Sequence, residues 1–163
     1  MKKTNAMRLL DSMRILYEAK EYVPDEEDLS GVHVAAQLGL PPEQVFKTLV
    51  AKGDKNGVAV FCIPCEGTLD LKQAARLTGD KRMELLHVKE LLGVTGYIRG
   101  GCSPIGMKKR YPTFLHESAL GFERITVSAG IRGCQLLLSP QDLIACTDCR
   151  VACLLERHDA LEG

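Results

Sequence analysis

The chain of 163 residues has no tryptophan, and aromatic residues make up only 5% of its composition. Lys and Arg together number 21, as do Asp and Glu, so the formal net charge is zero. This balance argues against a protein that coats nucleic acid non-specifically, since such proteins carry a broad basic surface. The sequence also lacks an apolar run long enough to span a bilayer, and its start lacks the apolar segment of a signal peptide. We therefore predict a cytoplasmic protein with no membrane partner.

The common catalytic signatures are missing as well. There is no Gly-x-Ser-x-Gly motif, no His-Glu-x-x-His motif and no phosphate-binding loop ending in Lys-Ser/Thr. The histidines do not fall at ligand spacing with one another or with an acid, so we interpret them as structural; they are His33, His87, His116 and His158. We predict that the protein uses no cofactor.

The seven cysteines form an odd number, which favours free thiols in a reducing compartment over a disulfide framework. Cys146-x-x-Cys149-x-x-x-Cys153, followed by His158, has a spacing that could bind zinc. The same spacing, i, i+3 and i+7, also fits one buried face of a helix, where free cysteine behaves as a small apolar residue. We favour the buried face and predict no metal. A thiol-based metal or redox protein is the alternative.

The length fits one domain with a real core, and the prediction is a single domain over residues 1–163. Apolar periodicity predicts helices that begin at Thr4 or Asn5 and at Ser139, and others over residues 32–38, 69–77 and 88–92. Because predicted strands occur in neighbouring pairs, an α+β fold with an antiparallel or mixed sheet and peripheral helices fits better than a doubly wound fold. The predicted strands cover residues 15–22, 46–51, 58–63, 83–87, 113–116, 124–128 and 135–138.

Two glycine-rich stretches are the main candidates for a site. Residues 96–109 contain four glycines, one proline, one serine and three cations, and residues 128–135 have similar chemistry. Glycine allows close approach to the backbone, and exposed amides can bind an anion or a carbonyl oxygen. Ordinary connecting loops are the alternative. Cys102, in the first stretch, is a possible nucleophile if a base or a positive site removes its proton.

Lys47 is the third candidate, because it lies at the head of a predicted strand between apolar neighbours. A half-buried lysine there can hold a phosphate or a carboxylate, or polarise a carbonyl group. A lysine that keeps a strand edge soluble is the alternative.

Three linked motifs make the chain resemble a known family. They are Phe46-Lys47-Thr48-Leu49, Gly96-Tyr97-Ile98-Arg99-Gly100-Gly101-Cys102-Ser103-Pro104-Ile105-Gly106, and Val127-Ser128-Ala129-Gly130-x-Arg132-Gly133-x-Gln135. In this order they resemble the bacterial Cys-tRNA(Pro) deacylases of the YbaK/EbsC type, relatives of the editing domain of prolyl-tRNA synthetase. The resemblance spans residues 5–145, and the tail from about residue 146 lies outside it.

The resemblance implies a single compact domain with a curved, mostly antiparallel, barrel-like sheet and peripheral helices. It implies an enzyme that releases cysteine from the acceptor end of mischarged tRNA(Pro), in concert with prolyl-tRNA synthetase. It also implies that the thiol of the substrate cysteine attacks its own ester carbonyl. A module that binds the aminoacyl or nucleotide end without cleaving it is the alternative from a different class.

The resemblance also implies roles for particular residues. Lys47 would hold the terminal phosphate or the ester region, and Gly100 and Gly101 would offer amides or close approach to the carbonyl. Some relatives carry an acid where this chain has a glutamine, which argues against a base at that position. The substrate-binding residues implied are Tyr22, which would supply an aromatic wall, Thr48, Ser103, Ser128 and Gln135.

Overall fold

The protein is described here from a computed structural model, which describes residues 2–157. Within this range the α-helices are Asn5–Ser12 (α1), Gly31–Leu38 (α2), Leu71–Thr78 (α3), Val88–Thr95 (α4) and Pro140–Thr147 (α5). The strands are Glu18–Glu21 (β1), Phe46–Gly53 (β2), Gly57–Pro64 (β3), Met83–Leu85 (β4), Thr113–His116 (β5), Ile125–Ser128 (β6), Cys134–Leu138 (β7) and Arg150–Ala152 (β8). Short 3-10 helices cover Pro42–Gln44 and Glu117–Gly121.

The strands form two sheets. The smaller sheet has the order β1-β7-β6 and is antiparallel throughout. The larger has the order β4-β2-β3-β5-β8 and is mixed, because β5 runs parallel to both β3 and β8. A parallel bridge between Val45 and Thr126 brings the start of β2 against β6. The prediction of a mixed or antiparallel α+β fold is confirmed. No closed barrel forms within residues 2–157, however, so the barrel-like sheet is not confirmed.

Two apolar cores pack against the sheets. α1 and α5 cover one face of the smaller sheet, where Leu10, Leu136 and Leu143 are fully buried or nearly so. α3 covers the larger sheet, where Phe61 stacks on Phe114 with ring centroids 5.3 Å apart. Phe46 and Cys62 of the larger sheet also belong to the first core, so that core lies between the two sheets. The bridge between Val45 and Thr126 places the start of β2 at the seam where the sheets meet.

The predicted helix ends follow from local chemistry. Thr4 caps α1 by accepting a hydrogen bond from the Met7 amide at 3.2 Å, and Ser139 caps α5 in the same way. Gly39 ends α2 in the left-handed conformation at φ 70°. These predictions are confirmed to within one or two residues.

The prediction that Cys146, Cys149 and Cys153 share one buried face of a helix is wrong. α5 ends at Thr147, and Asp148 takes a left-handed conformation at φ 55° before β8 begins. Cys146 and Cys149 are buried on either side of this turn, whereas Cys153 is exposed. Asp148 tolerates this backbone better than most residues, which allows the helix to stop there. His158 lies outside the described residues. Within residues 2–157, no three His, Cys, Asp or Glu side chains come together as a metal site.

The helices of residues 2–157 are all too short to cross a bilayer.

Candidate functional site

A cleft of about 350 Å³ opens at the seam between the two sheets. Its walls come from the start of β2, from one face of the smaller sheet and from the loops that precede α2 and follow α4. Most of the predicted site residues line it. The lining residues are Tyr22, Leu29, Ser30, Gly31, Val34, Val45, Phe46, Lys47, Thr48, Leu49, Cys65, Arg99, Gly100, Cys102, Ser128 and Gln135.

One wall is the polar face of the smaller sheet. Ser128 of β6 pairs with Gln135 of β7, and cross-strand partners present their side chains on the same face. The neighbouring residues Val127 and Leu136 point the other way, into the core. Apolar and polar residues alternate along β6 and at Gln135, between Cys134 and Leu136 of β7. The sheet therefore turns one face to the core and presents Ser128 and Gln135 to the cleft on the other.

The opposite wall begins with β2. Lys47 is half-buried there and pairs with Ile63, and Thr48 follows it into the cleft. The Thr48 hydroxyl lies 4.0 Å from the Cys62 sulfur of the neighbouring strand. Lys47 and Arg99 are the cations of the lining, so the cleft carries positive charge in a protein with no net charge.

Loop 96–106 approaches the cleft through a tight turn at residues 98–101. The Gly101 amide donates to the Ile98 carbonyl at 2.9 Å, and Gly100 has φ 84°, as the third position of a type II turn requires. The Arg132 Nε donates to the Arg99 carbonyl at 2.9 Å. Because a peptide unit is planar and trans, the Gly100 N–H points away from that carbonyl and from Arg132.

Gly100 and Gly101, for which the same role was predicted, therefore differ in whether their amides are available to a ligand. Gly100 lines the cleft, and its amide makes no hydrogen bond within residues 2–157. Gly101 is buried, and its amide is already used inside the turn. A Cβ atom at Gly101 would lie 2.9 Å from the Ile131 carbonyl carbon, so this glycine instead allows the two glycine-rich loops to touch.

Buried hydrogen bonds hold loop 96–106 in place. Tyr97 donates its hydroxyl to the Ile105 carbonyl at 2.6 Å, and burial raises the pKa of Tyr97 to about 12. Ser103 is completely buried and accepts from the Ile105 amide at 3.2 Å. The family resemblance predicts that Ser103 contacts the substrate. In the structure it lies outside the cleft lining, and its hydroxyl stabilises the loop instead.

Tyr22 brings the end of β1 to the cleft mouth. Its backbone amide donates to the Gly133 carbonyl at 2.9 Å, which ties it to the second glycine-rich loop. The acidic segment that follows lies beside this mouth, where Glu26 approaches the Arg132 guanidinium at 3.8 Å. Both carboxylate and guanidinium are at least partly exposed, so this ion pair is weak and screened.

The cleft thiols are protonated near neutral pH. Burial raises the pKa of Cys102 to about 11, and burial together with nearby Glu66 raises the pKa of Cys65 to about 11. The Cys65 thiol donates to the Pro42 carbonyl at 3.3 Å. Since the thiolate is the nucleophilic form, Cys102 is poorly suited to the nucleophilic role considered from sequence.

The predicted site residues do not include Cys65, Arg99 or residues 29–31, which lead into α2, although all of them line the cleft. Arg99 lies within a motif that pointed to the site. Cys65 and Leu29–Gly31 carry no local signal, because they reach the cleft only through the packing of α2 beside the start of β2.

The fold and the cleft together define the class of this protein: a small α+β domain whose cationic cleft is formed by a strand lysine and two touching glycine-rich loops. More particularly, the chain belongs to the aminoacyl-tRNA editing domain family, whose model matches residues 28–146.

Individual relatives agree with this assignment. The chain is 47% identical over 146 residues to an Enterococcus faecalis protein provisionally named Cys-tRNA(Pro)/Cys-tRNA(Cys) deacylase EbsC, covering 90% of this chain and 89% of that protein. A crystal structure described provisionally as a trans-editing enzyme for prolyl-tRNA synthetase is 26% identical, with a TM-score of 0.81 over 96% of this chain and 99% of that one. A crystal structure of a hypothetical protein shares the fold at 22% identity, with a TM-score of 0.85 over 94% of this chain and 100% of that one.

Proposed function

We propose that this protein is a trans-editing aminoacyl-tRNA deacylase that releases cysteine from mischarged Cys-tRNA(Pro), with Cys-tRNA(Cys) as a second substrate. The observation that carries the proposal is the composition of the cleft. The three sequence motifs converge on it, yet its described lining contains no histidine, aspartate or glutamate. A cleft with binding groups but no side-chain base suits a substrate that carries its own nucleophile.

The cysteinyl ester is such a substrate. Its thiol attacks its own ester carbonyl, so that a carbon–sulfur bond forms, the carbon–oxygen bond to the ribose breaks, and the thiol proton ends on the released ribose hydroxyl. The product is a four-membered thiolactone, which water opens to free cysteine. Well-oriented intramolecular groups reach effective molarities of order 10⁵ M or more, so orientation alone supplies much of the acceleration.

The protein's part is to bind, orient and stabilise charge. Lys47 and Arg99 hold the terminal phosphate, because a lysine or arginine inside a partly desolvated cleft attracts an anion more strongly than one in bulk water. The Gly100 amide donates to the carbonyl oxygen as negative charge develops there. Tyr22 contributes a flat apolar surface on which the terminal base stacks, because the bases of single-stranded RNA ends stack on aromatic side chains.

Contacts between the two glycine-rich loops support the role proposed for the Gly100 amide. Arg132 ties the turn at Gly100 to the second loop, and Gly101 allows the two backbones to meet. A donor held by a rigid turn needs no reorganisation during the reaction, which is the condition for effective charge stabilisation.

We also propose prolyl-tRNA synthetase as a partner that delivers the mischarged tRNA. The support is the similar protein of known structure, 26% identical to this chain, that is described as a trans-editing enzyme for prolyl-tRNA synthetase. Adding the synthetase should lower the KM for Cys-tRNA(Pro) and leave kcat unchanged.

The test compares four esters of tRNA(Pro): cysteinyl, S-methylcysteinyl, alanyl and prolyl. We expect release of cysteine alone, because S-methylation removes the internal nucleophile and leaves the shape nearly unchanged. Equal release from the S-methylcysteinyl ester would show that water or a protein group attacks. Binding of all four without release of any above background would establish the non-catalytic binding module instead.

A further inference from the structure

We infer that Gln135 recognises the α-amine of the aminoacyl group through its side-chain oxygen, and so makes the cleft selective for α-amino esters. This inference rests on the proposed function and assigns one part of the substrate to one wall of the cleft.

The first observation is an unsatisfied buried group. Gln135 is 6% exposed, and its Oε1 has no hydrogen-bond partner within residues 2–157. Buried side-chain oxygens in folded proteins nearly always have a partner, and leaving one without costs about 1–3 kcal/mol. The free protein therefore keeps an acceptor that its own fold does not satisfy.

The second observation is where this acceptor lies. Gln135 is part of the cleft lining, on the polar face of the smaller sheet. A second unsatisfied buried oxygen among the described residues, Oγ1 of Thr126, belongs to a residue outside that lining. The terminal torsion of glutamine is broad, so the amide can turn its oxygen toward a donor that enters the cleft.

The neighbouring residue, Ser128, limits the type of hydrogen-bond donor that this wall can bind. Ser128 is the cross-strand partner of Gln135, and its Oγ accepts from the Gly130 amide at 3.1 Å while keeping a second lone pair. The wall thus offers two acceptor oxygens on adjacent strands, whose Cβ atoms lie about 5 Å apart. A primary amine has two or three N–H groups and can serve both oxygens.

Other groups on the substrate fit this wall less well. Phosphate and carbonyl oxygens are acceptors and gain nothing from a second acceptor. The ribose 2′-hydroxyl has a single proton to donate, so it can satisfy only one of the two oxygens. The cysteine thiol is a weak donor and is needed as the nucleophile. The exocyclic amine of the terminal adenine also has two N–H groups but is neutral. The α-amine is the one multiple donor of a cysteinyl ester that can carry positive charge.

The test uses a pair of esters that differ only in this amine. Cysteinyl-tRNA(Pro) carries it, whereas 3-mercaptopropionyl-tRNA(Pro) lacks it and keeps the thiol. We expect the wild-type protein to favour the cysteinyl ester by about 10- to 100-fold in kcat/KM, the range of a hydrogen bond to a charged group. Gln135→Met should bring this ratio close to one by losing activity on the cysteinyl ester, and Gln135→Glu, which keeps an acceptor, should restore it.

Thermal unfolding separates recognition from a structural role. Because the Gln135 oxygen has no partner to lose, Gln135→Met should leave Tm unchanged or raise it. Gln73→Met, on α3 and outside the cleft lining, is the matched control and should preserve the substrate ratio.

Several outcomes would overturn the inference. One is a substrate ratio that Gln135→Met leaves unchanged, and another is a clear fall in Tm. A third is loss of discrimination against a 2′-deoxy terminal adenosine in Gln135→Met, which would assign the oxygen to the ribose. Non-cleavable amide analogues of both esters, compared by calorimetry, test the same preference through binding. A protein that binds them selectively but cleaves neither ester would refute the deacylase and keep this inference.

Discussion

Two buried polar side chains of this protein, Asp80 and Gln135, are almost equally inaccessible, at 8% and 6% exposed. Asp80 is fully engaged: it accepts from the Lys55 and Asn56 amides at 2.8 and 2.6 Å and from the Thr78 hydroxyl at 2.6 Å. Gln135 has an oxygen with no partner among the described residues. Equal burial therefore accompanies opposite hydrogen-bonding states.

At the corner around Asp80, the fold itself supplies the hydrogen-bond partners of a buried side chain. In the cleft, it leaves a buried side-chain oxygen without one. At the Asp80 corner, one carboxylate joins the end of α3 to the turn between β2 and β3, and these contacts need no ligand. At the cleft, acceptors and cations line a cavity whose partners must come from outside. Apart from the controls, each substitution proposed below is directed either at the cleft or at the Asp80 corner.

The largest expected effect is on Lys47. Lys47→Ala should lower kcat/KM for Cys-tRNA(Pro) by about 10- to 100-fold, because it removes a charged hydrogen bond to the terminal phosphate, worth about 1.5–3 kcal/mol. Lys52→Ala, on the same strand but exposed, should stay close to wild type. Undiminished activity in the Lys47 variant would remove this residue from the site.

Gly101→Ala should affect both stability and activity. The new methyl group would meet the backbone of Ile131 and Arg132 at 2.9–3.0 Å, so the two loops must move apart. We expect a loss of about 1–3 kcal/mol in unfolding free energy, as for other overpacked sites, together with slower deacylation. Chemical denaturation measures the first quantity and single-turnover release of cysteine the second.

Gly93→Ala is the matched control for this substitution. Gly93 lies in α4 with open space where a Cβ would go. Alanine there should stabilise the helix by about 0.5–1 kcal/mol and leave activity alone. Similar results for the two variants would contradict a special role for the contact at Gly101.

Asp80→Asn should lower Tm without changing the kinetics of the folded protein. Hydrogen bonds from Thr78, Asn56 and Lys55 lower the pKa of Asp80 below its usual value. A carboxyl whose pKa is lowered by folding stabilises the protein above its unfolded pKa, about 3.9, and loses this effect as pH falls through the folded pKa. The difference in Tm between wild type and variant should therefore be full at neutral pH and shrink below about pH 4.

The control for Asp80 is Glu123→Gln, an exposed acid that should change Tm little at any pH. A constant Tm difference for Asp80→Asn from pH 7 to pH 3 would contradict the assignment of this stabilisation to the ionised carboxylate.

The smallest expected effect on catalysis is at Cys102. Cys102→Ala removes a cleft thiol whose pKa is raised to about 11 by burial, so the thiolate is scarce at neutral pH. We expect kcat for cysteine release to stay within a few-fold of wild type. A loss of activity as large as that of Lys47→Ala would restore Cys102 as a nucleophile.

Much of the fold follows from short-range signals in the sequence. Thr4, Ser139 and Gly39 end or begin helices because their side chains or backbone freedom satisfy a helix terminus locally. The turn before β3 and the apolar runs on either side predict the β2–β3 hairpin for the same reason. The strand pairing of distant segments, such as β1 with β7, has no comparable local signal.

The cysteine tail shows the limit of periodicity. The spacing of Cys146, Cys149 and Cys153 is helical, but Asp148 stops α5 and β8 joins the edge of the larger sheet. Tertiary pairing of β8 with β5 overrides a pattern that is locally consistent with helix. The site shows the same limit, since Ser103 belongs to a motif of the family and yet faces the interior.

By itself, then, the sequence determined which segments could bear chemistry: a lysine at a strand head and two glycine-rich loops with cations beside them. Only the tertiary structure decided which groups remain available to a ligand. Whether a buried side-chain oxygen finds a partner depends on segments far apart in the chain, as the Asp80 carboxylate, which accepts from the Asn56 amide, and the unpaired Gln135 oxygen show. Hydrogen bonds are satisfied over a few ångströms in space, and that distance is not encoded in local composition.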